Sequence, residues 1–400
     1  MTAPARLRTS DQPTERGLES GVVARGETET LRVALASSVG GGTIERLSSQ
    51  LGELGFRTEV VDDFSAEEWR KQMGSGFLGR VLARLRAYIG YPLSVVEHAV
   101  RSDEPTVWIV TTNPFYLPFV LTLTRPIHGN AIVALVWDLF PDAIEVATGR
   151  SDTGIVGALA TRMNQYWFKH ADALVFIGRR MADHACGRYG SPLVSDIIET
   201  GADANELEPT RLLAGAPESE LERWVEGRVV ASYVGNMGLM HDVDTLRDAA
   251  LRIDKRGTAE RLGFVVAASG PGVEDLKAGW GELSTERARF EPPLGDRPWA
   301  RLLARTHISI VTLRTSARHT SIPSKAMSAM AAGSAILAVA PRDSDLADVV
   351  LRHGCGEVIE PGMSTGSSTC SSASLRMTNF SPGTVALREA RSRSTTISVC

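Results

Sequence analysis

Short apolar runs alternate with amphipathic stretches from Leu31 to Gly362. A first set comprises LRVALA (31–36), VWIVT (107–111), IVALVW (132–137) and ALVFI (173–177), and a second VVASYV (229–234), GFVVAA (263–268), ISIVTL (308–313) and AILAVA (335–340). Each run is continuously apolar rather than alternating, the pattern of parallel strands covered on both faces. Between them Ile44, Leu47, Leu51 and Leu54 keep steps that share one helical face, as do Val243, Leu246, Ala250 and Ile253. Strand–helix alternation predicts an α/β architecture with parallel sheets. The stretch 201–228 is charged, carries Gly and Pro, and has no strand-like run. The pattern therefore predicts two Rossmann-like domains, 30–205 and 229–362, joined by a linker at 206–228 and facing a central cleft. A cleft at the carboxyl ends of such sheets is the default ligand position.

The two ends break the pattern. Residues 1–29 are polar and aperiodic, which predicts a disordered leader. Residues 363–400 hold 16 Ser or Thr and a single acidic residue, Glu389. That composition predicts either a disordered extension or an out-of-frame terminus replacing the natural one.

Composition narrows the function classes. An apolar share of 43% with 22% charged residues is that of a globular chain. Lys plus Arg number 43 against 47 for Asp plus Glu, a net charge of −4 that argues against a dedicated nucleic-acid binder. No apolar run approaches the roughly 18–20 residues of a membrane-spanning helix, and the start shows no secretory h-region. The four cysteines, at 186, 355, 370 and 400, form no CxxC pair, so a cytoplasmic protein with reduced thiols is expected. The segment GFLGRVLARLRAYIGYPL (76–93) is amphipathic, with Arg80, Arg84 and Arg86 on its polar side. It reads either as a core-facing helix with solvated arginines or as an interfacial helix in peripheral contact with an anionic membrane, on the inner face.

Three glycine-bearing segments follow strand runs, where backbone N–H groups can approach a phosphate or a sugar hydroxyl. Gly40, Gly41 and Gly42 come after the first run. A dinucleotide fingerprint beginning at Gly40 requires Gly at 45, which is Glu45, so a nicotinamide dehydrogenase is disfavoured. Gly235 and Gly238 lie in VGNMGLMHDVDTL, with His241 as a further donor and Asp242 placed to cap the next helix at Thr245. In HTSIPSKAMSAMAAGSAILAVA (319–340) Ser324 is placed to cap a helix with Lys325 in its first turn. A cation there opposes the helix dipole, so either an anion binds beside it or the lysine is simply solvated. Asp138, in WDLFPD, ends the 132–137 run and reads as a cleft carboxylate or a loop cap. Asp343 and Asp345 read as solvated loop acids. The histidines show no metal spacing and Asp242–Asp244 only mimics a metal DxD, so no metal or cofactor is expected.

At these residues the sequence resembles the retaining glycosyltransferases of family 4, which share the GT-B fold of two Rossmann-like domains. The resemblance spans about 31–362 and is carried by VGNMGLMHDVDTLRDAA, VVAASGPGVEDLKA, RFEPPLGDRPWARLLARTHISIVTL and IPSKAMSAMAAGSAILAVA, with WDLFPDA and FIGRRMADHACGRYG in the first half. The PSK form resembles the bacterial capsule, O-antigen and exopolysaccharide subgroup. The resemblance implies a UDP-sugar donor and a polyprenyl-linked or small-molecule acceptor. It places Gly41 and Gly42 near donor phosphate and acceptor, Asp138 on the acceptor side, and Gly235, Asn236, Gly238 and His241 at the diphosphate. Lys325 with Ser324 balances that charge, Gly270 and Gly272 form the turn after the 263–268 run, and Arg289 and Phe290 fall where the family holds the nucleobase. The resemblance implies front-side transfer with retention and no metal, with Asp138 and Lys325 as the catalytic pair. Two glutamates of the wider family are replaced by Thr320 and Ser328, and the Arg and Lys that commonly follow the G-x-G turn are absent. These departures leave a second reading, a degenerate homologue acting as an accessory or binding protein.

Overall fold

A computed structural model of the chain describes residues 31–38, 42–65, 68, 71–72, 76–149, 154–248, 261–280, 286–362, 373–375 and 397–399. The expected leader, Gly40, Gly41, Ala250, Ile253 and most of the Ser/Thr-rich tail lie outside these residues. Within the tail, Ala373–Leu375 pairs antiparallel with Ile397–Val399.

The chain divides into two compact units, one of Met1–Glu145 with Arg150–Glu199, the other of Val146–Gly149 with Thr200–Cys400. The first carries β1 (Arg32–Ala36), β2 (Arg57–Val61), β3 (Thr106–Thr111), β4 (Ala131–Val136), β5 (Ala173–Phe176) and β6 (Ser195–Ile197). They form one sheet in the order β2-β1-β3-β4-β5-β6, every neighbouring pair parallel. Parallel neighbours need crossovers, and helices supply them. Gly42–Glu53 packs by β2, while Tyr91–Arg101, Leu117–His128, Gly154–His170 and Arg179–Tyr189 pack side by side in that order. Val33, Leu35 and Ile44 centre a core beneath Gly42–Glu53, joined by Leu47 and Leu51 of the helical stripe.

The second unit carries β7 (Val229–Asn236), β8 (Leu262–Ser269), β9 (Ala288–Glu291), β10 (Ile308–Thr312), β11 (Ala335–Val339) and β12 (Gly356–Ile359). These are also parallel, in the order β12-β11-β10-β7-β8-β9. The chain first builds outward from β7 to β9, then returns and builds the other way from β10 to β12. Helices leave β7 and β10 in opposite directions, so this pair is the switch point of the sheet, where α/β folds leave a crevice. The β7–β10 ladder is correspondingly brief, pairing Ile308 with Ala231 and Ser309 with Ser232.

Two expectations change. The boundary at 205 moves to Glu199–Thr200, and the stretch 206–228 is a packed part of the second unit rather than a free linker. It forms the helices Pro209–Leu212 and Glu220–Val225, and its Leu207, Leu221 and Val225 join Val230, Val265 and Leu303 in one core. Arg301, on the helix Asp296–Arg305, fastens it: Nε and Nη2 donate to the two carboxylate oxygens of Glu222 at 2.6 and 2.7 Å, and Nη1 donates to the Leu212 carbonyl at 2.6 Å. Arg301 and Glu222 are both buried, so the fork geometry of arginine is what lets the two charges leave water together. Asp345 is the other correction: it is buried at the start of the helix Asp345–Arg352, whereas Asp343 pairs with Arg318 at 2.9 Å.

Candidate functional site

At the β7–β10 switch point lies a cavity of about 250 Å³. Ser232, Val234 and Gly235 of β7 and Ser309, Ile310 and Val311 of β10 floor it, while Trp299 and Leu303 wall one side. Ser324, Lys325 and Ser328 wall the other. The fold thus makes an apolar crevice where its strands part, and a few polar groups converge on it.

Lys325 is the charge at this site. Burial pushes its ammonium down to about 8. The Nζ lies 3.2 Å from His241 Nε2 and 5.4 Å from the centroid of the Tyr233 ring. His241 is itself buried, and its Nδ1 lies 2.7 Å from the Thr312 carbonyl oxygen. A carbonyl only accepts, so Nδ1 carries the proton and Nε2 offers a lone pair to the lysine. Burial first, then the positive charge of Lys325, holds the imidazole down to about 4. At neutral pH the pair is therefore a neutral histidine that orients a charged lysine without neutralising it. Such an ammonium keeps its capacity for an anion.

The end of β7 and the turn that follows are shaped around that lysine. Gly235 has φ +107, in the left-handed region that favours glycine, and a Cβ there stands 3.2 Å from Lys325 Cε. Tyr233 Oη donates to the Asn236 carbonyl at 3.1 Å, bracing the turn from beneath. The His241 N–H donates to the Gly238 carbonyl at 3.1 Å, returning the chain to the Asp242 cap, whose Oδ1 accepts from the Thr245 N–H at 2.9 Å.

Of the residues singled out by sequence, the structure brings Gly235, Asn236, Ser324 and Lys325 to one cavity, with His241 bonded to Lys325. Ser328, at one of the two replaced glutamate positions, lines it as well. The Ser324 side chain makes no capping bond, contrary to expectation, and Lys325–Ala331 is only seven residues long. The lysine is held by His241 and Tyr233 rather than by a helix terminus. Thr320 is buried and its hydroxyl donates to the Ala317 carbonyl at 3.2 Å, a structural use. Gly270, with φ +108, and Gly272 are required by packing. A Cβ on Gly270 meets the Met237 carbonyl oxygen at 2.6 Å, and one on Gly272 meets Val243 Cγ2 at 2.7 Å. The N–H of Gly272 is already donated to Met237. Arg289 pairs with Glu220 and Glu291, at 3.1 and 3.2 Å, and Phe290 packs against Trp280 on the opposite face of β9; neither lines the cavity.

The first unit gathers polar loops at the carboxyl ends of its strands. Beyond β1 the Ser38 hydroxyl meets Asn113 Oδ1 at 3.2 Å. Thr112 Oγ1 accepts from the N–H groups of Trp137 and Asp138, both at 3.2 Å. Asp138 is exposed at this edge, and Gly42 begins its helix beneath the side chain of Arg46. Just beyond, Asp142 is a residue that sequence reasoning passed over. It is buried, accepting from His184 Nε2 at 2.7 Å, from Arg188 Nη1 at 2.8 Å and from the Tyr189 hydroxyl. Burial would raise its carboxyl, but the hydrogen bonds and the arginine charge outweigh that and hold it below the usual carboxylate range. His184 and Arg188 stand four apart on one helix, a spacing that was the available signal. Among the described residues no three His, Cys, Asp or Glu side chains gather as a metal set.

No family model matches the chain. Over 281 residues, 70% of this chain and 68% of the relative, it is 27% identical to the probable glycosyltransferase WbjE of Pseudomonas aeruginosa. A UDP-forming trehalose-phosphate synthase from Burkholderia xenovorans, solved with glucose-6-phosphate, superposes with a TM-score of 0.59 at 12% identity, covering 82% of this chain and 89% of that one. The sucrose-phosphate synthase of Thermosynechococcus elongatus does so with a TM-score of 0.54 at 12% identity, covering 84% and 87%. The chain has the two-sheet GT-B glycosyltransferase fold, and its similarity to WbjE supports glycosyl transfer as its activity.

Proposed function

We propose that the protein transfers a sugar from a UDP-linked donor to an acceptor hydroxyl with retention of configuration, as the PSK-bearing members of family 4 do. The observation that carries this reading is Lys325, a charged ammonium held by a neutral histidine at the mouth of a switch-point cavity. In the transfer, the bond between the anomeric carbon and the β-phosphate oxygen breaks while the acceptor oxygen bonds to the same face. The acceptor proton passes to the departing phosphate oxygen, and UDP leaves. Lys325 and the turn residues Gly235, Asn236 and Gly238 stabilise the developing diphosphate charge, so the reading assigns that task to no metal. Ser324 sits beside Lys325 as a hydroxyl donor, and Asp138 is assigned the acceptor hydroxyl from the first unit. The acceptor is polyprenyl-linked or a small molecule with a free hydroxyl.

The buried, internally bonded Thr320 favours one second reading, a homologue that binds nucleotide-sugar without transferring it. Purified protein incubated with UDP-sugars and a lipid-linked or soluble acceptor separates the two. Release of UDP with formation of a glycosylated product is expected. Tight donor binding with no UDP release over prolonged incubation would favour the accessory reading, and no nucleotide binding would sink both.

A further inference from the structure

Lys325 is one of two cations that meet at His241. Arg314 lies two residues beyond the end of β10, where its backbone N–H donates to the Met240 carbonyl at 2.9 Å and its Nε donates to the His241 carbonyl at 2.9 Å. The guanidinium is thereby pinned to the loop that leads from β7 to the Asp242 cap. The ring of the same histidine meets Lys325 Nζ at 3.2 Å, so one neutral residue carries an ammonium on its ring and a guanidinium on its backbone. Both charges reach the imidazole: after burial, Lys325 and, more weakly, Arg314 hold it in the neutral form.

No acid answers them. Neither cation forms an ion pair among the described residues, and the two Nη groups of Arg314 make no hydrogen bond there. The carboxylates of the surrounding loops are already committed. Asp242 spends both oxygens on Thr245, Asp244 pairs with Arg247, and Asp343 pairs with Arg318 in the loop after β10. Like charges fixed around one residue repel each other, and an anion held between them replaces that repulsion with attraction. As a brace, Arg314 uses only its Nε. The edge formed by its Nη groups, the part of an arginine that matches a pair of phosphate oxygens, is left open on an exposed side chain.

We propose that Arg314 is a second anion-binding residue of the switch-point site, donating its Nη groups to the diphosphate that Lys325 also meets. The proposal rests on the reading of that site as one for a sugar nucleotide, and adds a contact that the local sequence does not signal. A diphosphate carries more than one negative charge, and Lys325 brings a single positive one. Arg314 does not line the cavity. Like His241 it stands beside it at the carboxyl end of β10, a place for the charged part of a nucleotide rather than for its base or sugar.

The test is titration calorimetry of the purified full chain and of Arg314→Gln, Arg314→Lys, Arg318→Gln and Lys325→Met with UDP, inorganic pyrophosphate and uridine. Arg314→Gln is expected to weaken UDP and pyrophosphate by about tenfold while leaving uridine affinity unchanged. Arg314→Lys keeps the charge but loses the fork, and is expected to recover part of that loss. Arg318→Gln, whose guanidinium is paired with Asp343, is expected to bind all three as the parent does. An equal loss for UDP and uridine would mean that Arg314 only braces the turn, and would overturn the proposal. UDP affinity unchanged in Arg314→Gln but lost in Lys325→Met would also overturn it, and would leave the reading of the site standing. Pyrophosphate binding that Arg314→Gln weakens, with no preference for UDP, would support the two-cation site and contradict the sugar-nucleotide reading. A parent that binds neither UDP nor pyrophosphate overturns both.

Discussion

Lys325 Nζ faces His241 Nε2 at 3.2 Å, and the other nitrogen of that ring is committed to the Thr312 carbonyl oxygen at 2.7 Å. On the proposed function, this relationship makes anion binding at the site pH-limited. Lys325 loses its proton around 8, so affinity for UDP is expected to hold below that value and to fall as pH rises through it. Titration calorimetry on either side of about 8 reads this directly, and a flat profile would remove Lys325 from the site. His241 acts on stability at the other end. Its pKa is lowered from 6.5 to about 4, so the unfolded chain takes up the proton first. Stability is present above 6.5 and is lost as pH falls towards about 4, by up to about 3 kcal/mol. His241→Asn is expected to flatten that part of the stability curve.

Gly235→Ala tests the turn. Its φ of +107 strains any side chain, and the added Cβ stands 3.2 Å from Lys325 Cε. A loss of about 1–2 kcal/mol in stability is expected, together with weaker UDP binding as the lysine shifts. Gly354→Ala, at a φ of +56 with nothing within 4 Å of the new Cβ, is the comparison. It is expected to lose stability while leaving UDP affinity unchanged.

Asp142→Ala removes the shared acceptor of Arg188, His184 and Tyr189 while Glu145 still pairs with Arg188, and a loss of about 1.5–3 kcal/mol is expected by denaturant unfolding. Because the folded pKa of Asp142 lies below its model-compound value of 3.8, its stabilisation is present above that pH and is lost as pH falls below it. A variant as stable as the parent would mean that the cluster is not holding the helix Arg179–Tyr189 to the Asp142 loop.

Asp138 is exposed at the end of β4, in contrast to the buried Asp142 four residues on. On the proposed acceptor role, Asp138→Asn is expected to lower turnover while leaving donor affinity unchanged. Equal losses in both, or in neither, would make it a loop residue.

The sequence made the interior of the fold legible and its margins less so. The eight apolar runs correspond to β1, β3, β4, β5, β7, β8, β10 and β11, each with a neighbouring strand on both sides. The remaining strands, β2, β6, β9 and β12, are the four edges, where one side lacks a neighbour and the continuous apolar run is not required. Arg289 and Phe290 sit on β9, the edge strand separated from the β7–β10 cavity by β8, which explains why neither belongs to the cavity. Gly235, Asn236 and Lys325 were recognisable because a turn glycine and a first-turn cation have local signatures. The bond from His241 to Lys325 spans 84 positions and has none. Gly270 and Gly272 carried the same signature as Gly235, but only the three-dimensional approach of Met237 and Val243 shows that packing accounts for them.

The central claim is that the switch-point cavity with Lys325 is the UDP site. The most direct measurement is a thermal-shift titration of the parent and of Lys325→Met with UDP, GDP, TDP and NADH, with and without magnesium. A ligand that binds only the folded state raises its melting temperature. A UDP-selective rise independent of magnesium is expected for the parent, and a loss of affinity of about tenfold or more for Lys325→Met, the worth of one charge-assisted contact. An equal UDP response from the two proteins, or no response from a parent that melts cooperatively, would contradict it.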